Sequence, residues 1–75
     1  MNLRRLKDLR EDKDLMQKNI AEILGTTQQQ YSRYENQLRE MPANLIYKLA
    51  IFYNTSTDYI MGLTNIKEPY PRIKK

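Results

Sequence analysis

The chain contains no cysteine, no histidine and no tryptophan. Without cysteine there is neither a disulfide framework nor a thiolate metal site, and without histidine the commonest remaining zinc ligand and proton shuttle is gone as well. No metal and no cofactor are therefore expected. Valine is also absent and no alternating β-branched run occurs, which argues against a sheet. No apolar stretch approaches the roughly 20 residues of a membrane span, and Met1 to Lys18 are charged throughout, unlike a signal peptide. A cytoplasmic protein is the expectation. The two glycines stand apart, at positions 25 and 62, so no glycine-rich phosphate loop is present. At 75 residues the chain is too small to wall off a pocket of the usual few hundred cubic ångströms, and an enzyme is not expected. Asp12 and Asp14 read as a solvated helix end.

What remains is a basic chain, of net charge +4, in which leucine and isoleucine recur at three- and four-residue spacings. The pattern predicts a compact all-α domain of five helices. Leu3, Leu6 and Leu9 share one face of a first helix over 2–12. A second, over 16–24, puts Ile20, Ala21 and Leu24 on one face and stops at Gly25, where glycine can take the left-handed conformation. Thr27 supplies a hydroxyl cap, with Gln30 three residues later completing a capping-box pattern, for a third helix over 28–36. A polar and basic connection leads to a fourth helix over 43–53, with Ile46, Leu49, Ala50 and Tyr53 in a stripe. Asn54-Thr55-Ser56 is a turn with a second hydroxyl cap, and a short fifth helix carrying Tyr59, Ile60 and Met61 ends at Gly62. The domain is placed at 1–63, followed by a basic, proline-containing tail over 64–75, read as extended or disordered in isolation.

Two short helices joined only by Gly25-Thr26-Thr27 form a helix-turn-helix unit, whose second helix enters the DNA major groove. At 3.6 residues per turn, Gln28, Gln29, Ser32 and Arg33 fall on one side of the third helix, with Tyr31 and Tyr34 on the buried side. Glutamine can bond bidentately to adenine and arginine to guanine, so the polar side carries two side-chain types suited to base edges. A polar face on a short helix is ordinarily just solvated. Here it coincides with a small Ala21 for close helix approach, a glycine-bearing turn, and Gln17 in the angular sector of Ile20, Ala21 and Leu24, where an apolar residue would be expected. Gln17 is then either an idle first-turn residue or a phosphate contact, and the turn favours the second.

From Leu6 to Leu63 the sequence resembles the Cro/repressor-type helix-turn-helix family, also called the xenobiotic-response-element family. The resemblance rests on Gln17 through Ala21, Gly25-Thr26-Thr27-Gln28-Gln29, Ser32-Arg33-Tyr34-Glu35-Asn36, Leu49-Ala50 and Asp58-Tyr59-Ile60. The run from Gly25 to Gln29 is similar to the recognition segment of a lambdoid phage repressor. The resemblance implies a lambda-repressor-like fold in which Gln28, Gln29 and Arg33 face base edges while Gln17, Ser32, Asn36 and Arg39 contact phosphates. It also implies a structural ion pair between Arg10 and Glu35, and a homodimer on an inverted-repeat operator, with Phe52, Tyr59, Met61 and Leu63 as interface candidates. Phe52 equally suits a cap on the core beside Leu45. The tail can extend the interface, lie along phosphates or do neither.

The chain departs from the family pattern at Met16, where a Ser or Thr cap is usual, at Tyr31, where an aliphatic residue usually packs, and at Gln37, where glycine often follows Asn36. Tyr31 requires either a slightly opened core or a phenol that reaches a polar partner. The expected function is sequence-specific binding of double-stranded DNA as a small transcriptional regulator, a repressor in this reading. The alternative is an antitoxin or adaptor that uses the same fold to hold a protein partner such as a toxin.

Overall fold

A computed structural model describes residues 3–72 of the chain. Position 2 of the expected first helix and positions 73–75 of the tail lie outside the described residues. Five helices follow one another, α1 Arg5–Asp12, α2 Gln17–Leu24, α3 Gln28–Glu35, α4 Ala43–Phe52 and α5 Thr57–Ile60, and the described residues contain no strand. The first helix begins later than its periodicity suggests. Leu3 stays outside it, accepting the Leu6 N–H on its carbonyl at 3.0 Å, yet its side chain still reaches the core.

The expected apolar faces are the buried ones. Leu3, Leu6 and Leu9 of the first segment meet Ile20, Ala21 and Leu24 of α2, Tyr31 and Tyr34 of α3, Ile46, Leu49 and Ala50 of α4, and Ile60 of α5 in one cluster. Each of the larger aliphatic side chains contributes about 1.5–3 kcal/mol by leaving water. Met41 is also buried, although the connection around it reads as polar. One apolar residue in a loop carries no periodicity that would announce its burial.

The helix ends share one device. After each helix a residue with φ between 54° and 79° turns left-handed: Asp14, Gly25, Gln37, Asn54 and Gly62. At each, its N–H and the next one bond back to carbonyls three and five residues earlier, as in Gln37 to Tyr34 at 3.1 Å and Leu38 to Arg33 at 2.9 Å. This closure satisfies carbonyls that would otherwise be orphaned at the helix end. Asparagine and aspartate tolerate the conformation; Gln37 does so at a cost of about 1 kcal/mol. The departure at Gln37 therefore keeps the family's turn while omitting the residue that makes it easy.

Residues 64–72 carry no helix or strand and return across the α4–α5 junction. Arg5 donates to the carbonyls of Tyr59 (2.8 Å) and Thr64 and to Asn65 Oδ1 (2.6 Å). Thr55 Oγ1 donates to the Lys67 carbonyl, and Tyr70 Oη to Asp58 Oδ2 at 2.9 Å. Arg72 reaches the carbonyls of Ala50 and Thr55 and the Asn54 side chain at 3.2–3.4 Å. The segment forms a strap over the ends of α4 and α5.

Candidate nucleic-acid interface

Helix α3 starts where Thr27 Oγ1 accepts the Gln30 N–H at 3.1 Å. The other half of the expected capping box is not made. Gln30 sends its side-chain amide to the Tyr34 hydroxyl at 3.0 Å instead, a contact between side chains four residues apart on one helix face. Of three successive glutamines, Gln28 and Gln29 are thus exposed and Gln30 is tied down. At the start of α2, the missing hydroxyl of Met16 is partly replaced, because Asn19 Oδ1 accepts the Met16 backbone N–H at 2.9 Å. Gly25 ends α2 in the left-handed region, and Ala21, 2 % exposed, lets α3 pack close against it.

This arrangement brings five of the seven predicted contact residues together. Gln17, Gln28, Gln29, Ser32 and Arg33 line a single open depression. Asn36 adjoins it, donating from Nδ2 to Ser32 Oγ at 3.2 Å. Arg39 lies elsewhere, exposed in the α3–α4 loop beside Leu3, Gln37, Leu38 and Glu40. The face presents amide donors and acceptors, a hydroxyl and a guanidinium, the set that suits base edges and phosphates.

Beneath this face lies a buried polar cluster. Arg10 of α1 grips Glu35 at the end of α3 with both arms of its guanidinium, Nε to Oε2 at 2.9 Å and Nη2 to Oε1 at 2.7 Å, while Nη1 donates to the Leu15 carbonyl at 2.9 Å. The side chains are only 12 % and 3 % exposed. Gln17 adds a donation from Nε2 to Glu35 Oε1 at 3.3 Å. Burial works against the charged carboxylate, but hydrogen bonding, led by Arg10, outweighs it and holds Glu35 below the ordinary carboxylate pKa. Tyr31 is fully buried, so the large residue is accommodated inside the core. Its hydroxyl is turned toward Glu35 but stays outside hydrogen-bond geometry, and the buried Tyr53 hydroxyl likewise has no hydrogen-bond partner among the described residues. Burial first, and the nearby carboxylate second, push both phenols well above their ordinary pKa, so they remain neutral.

The four interface candidates separate. Phe52 stands edge-on to Tyr53, with ring centroids 5.0 Å apart, and lines a depression with Ile23, Tyr47, Lys48 and Ile51. Tyr59 is half-buried, the Arg5 guanidinium lying 4.1 Å from its ring centre. Met61 is half-buried against the core and Leu63 is exposed. Sequence reasoning missed the Gln17–Glu35 contact, which no periodicity signals, and the Gln30–Tyr34 contact, whose four-residue spacing was visible.

An α2–turn–α3 unit with an exposed polar face on α3, set on an all-helical core, defines a helix-turn-helix domain. Residues 6–60 match the sequence profile of the Helix-turn-helix family, and the chain belongs to that family, in its xenobiotic-response-element branch. It is 33 % identical over 75 residues to the uncharacterized HTH-type transcriptional regulator YobD of Bacillus subtilis (strain 168), an alignment covering all of this chain and 65 % of that protein. From the same organism, the HTH-type transcriptional regulator ImmR is 34 % identical over 65 residues, covering 87 % of this chain and 51 % of its own. AnsR, another HTH-type transcriptional regulator there, is 31 % identical over 72 residues, covering 96 % and 62 %. The chain thus spans between half and two thirds of the length of these relatives. No described helix is long and apolar enough to cross a membrane.

Proposed function

We propose that the chain binds double-stranded DNA sequence-specifically and acts as a transcriptional regulator, a repressor that excludes other proteins from its operator, with no catalytic activity of its own. The observation that carries this reading is the gathering of Gln28, Gln29 and Arg33 with Gln17 and Ser32 on one open face at the start of α3. Gln28, Gln29 and Arg33 face base edges in the major groove and set specificity. Gln17, Ser32, Asn36 and Arg39 hold phosphates and set affinity and register. The Arg10–Glu35 pair is structural, fixing α1 to the end of α3. One such helix reads only a few base pairs, so two copies act together on an inverted repeat. The relatives named as transcriptional regulators support the same reading. No comparable feature favours the antitoxin or adaptor alternative.

The test is in vitro selection of the purified protein on random duplex DNA at about 0.15 M salt, where weak non-specific attraction is already screened. Enrichment of an inverted repeat with half-sites about one helical turn apart is the expected result. No enrichment of any sequence would overturn the proposal.

A further inference from the structure

Glu35 closes α3 with a buried side chain, yet one of its bonds leads outward to the reading face. Its Oε2 accepts from Arg10 Nε at 2.9 Å, and its Oε1 accepts from Arg10 Nη2 at 2.7 Å and from Gln17 Nε2 at 3.3 Å. Gln17, the first residue of α2, is half-buried, meeting this carboxylate on one side and lining the open depression of the reading face on the other. Arg10 reaches the same place by a second route, since its Nη1 donates to the carbonyl of Leu15, two residues before Gln17. The start of α2 is thus held through its backbone and through its first side chain. Gln28 and Gln29 on the same face have no such anchor among the described residues.

A primary amide offers two N–H donors at one end and a carbonyl acceptor at the other, whereas a phosphate and an ionised carboxylate only accept. We propose that Glu35 is a positioning residue for DNA: through its bond to Gln17 it fixes which way that amide points, so that the second Nε2 N–H stands ready for a phosphate. The inference rests on the DNA-reading function proposed above and gives the Arg10–Glu35 pair a use beyond fixing α1 to the end of α3. Turning the amide over would set its oxygen against the Glu35 carboxylate in a buried place, which is costly. With one N–H committed inward, the other is left for a ligand. Arg10, bonded to both carboxylate oxygens, offsets the negative charge that would otherwise repel a phosphate. A donor ordered before the ligand arrives also avoids the cost of immobilising a side chain on binding.

The test is a double-substitution cycle at positions 17 and 35 of the full chain, read as affinity for the selected operator at a temperature where every variant is folded. Gln17→Ala is expected to weaken binding about tenfold, the loss of one hydrogen bond to a charged group. Glu35→Gln, which frees the Gln17 amide to turn, should weaken it about threefold to tenfold. Adding Gln17→Ala to Glu35→Gln should then cost less than about twofold more, because the two residues act as one. Losses that simply multiply overturn the proposal, since a role confined to folding lowers affinity whether or not Gln17 is present. Ethylation of single phosphates gives a second readout. A phosphate whose ethylation weakens the unaltered chain but not Gln17→Ala should fall silent in Glu35→Gln as well, with the other phosphates unchanged; an unaltered pattern in Glu35→Gln overturns the proposal. A third measurement needs no variant to fold. In the free, unaltered chain the Gln17 Nε2 group should give an NMR order parameter near the rigid value of about 0.85, with Gln28 and Gln29 below about 0.6; equal mobility of all three overturns the proposal. Base selection by the unaltered chain separates the two levels: if it persists while the losses multiply, only the positioning role is wrong, and if it is absent, the DNA-reading function fails too.

Discussion

The two ends of this small domain use polar side chains in opposite ways. At the α2–α3 end, inward polar groups bind one another, Glu35 with Arg10 and Gln17, and Gln30 with Tyr34, so that Gln28, Gln29 and Arg33 project from a firmly held helix. At the α4–α5 end, Arg5, Tyr70 and Arg72 are spent fastening a strap, and the exposed apolar side chains include Tyr47, Ile51, Phe52 and Leu63. One end is internally polar and outwardly polar. The other presents apolar surface. The difference is between an end that offers hydrogen-bonding groups to a ligand and an end that leaves apolar side chains in water.

Breaking the support under the reading end should give the largest effect. Arg10→Met strands a buried carboxylate and is expected to cost about 3–5 kcal/mol of folding stability, measured by urea unfolding. An unchanged midpoint and slope would remove the pair from the account. The same pair predicts an acid limit. Because Glu35 titrates lower in the folded chain than its ordinary value of 4.5, its contribution to stability is full above that value and is lost as pH falls through the lowered folded pKa. Stability should fall with acid in that window, and Glu35→Gln should flatten the fall. A profile indifferent to Glu35→Gln would place the acid sensitivity elsewhere.

Sharpening the comparison at the reading face comes next. Gln28→Ala and Gln29→Ala should each cost about 1–3 kcal/mol on the selected operator and relax its base preference, whereas a uniform loss across all sequences would refute base reading. Gln37→Gly should stabilise the fold by about 1 kcal/mol, because glycine takes the φ of 61° without strain. No gain in thermal unfolding would mean the closure after α3 is not under strain. The smallest change is expected for Arg39→Ala, which should lower the slope of log affinity against log salt by roughly one unit without altering base preference. An unaltered slope removes Arg39 from the phosphate set.

Much of this architecture is legible in the chain because helix faces repeat. Leu6, Leu9, Ile20, Leu24, Ile46 and Leu49 sit at spacings that only one buried face per helix explains, and Gly25, Thr27 and Ser56 mark ends with specific backbone needs. The separation of Gln28 and Gln29 from the buried Tyr31 and Tyr34 follows from the same geometry. What is not legible depends on partners chosen across the fold. Nothing in the sequence tells Gln30 to prefer Tyr34 over the capping box, Met41 to leave a polar loop, or the Arg5 guanidinium to cover Tyr59. Nor does composition reveal the strap, whose prolines and charges read as a loose tail while its hydrogen bonds run to carbonyls of α4 and of the α4–α5 turn. The left-handed turns at Asp14, Gln37 and Asn54 are likewise silent, since their residues do not require that conformation and merely accept it.

The most direct test of the division between the two ends is an NMR titration of the 15N-labelled protein with a duplex carrying a single selected half-site. The account predicts that the largest shifts fall on the side-chain amides of Gln28 and Gln29 and on backbone signals of α3, while Tyr47, Ile51 and the strap stay where they were. Shifts centred on α4 and the strap, with the Gln28 and Gln29 amides unmoved, would contradict it.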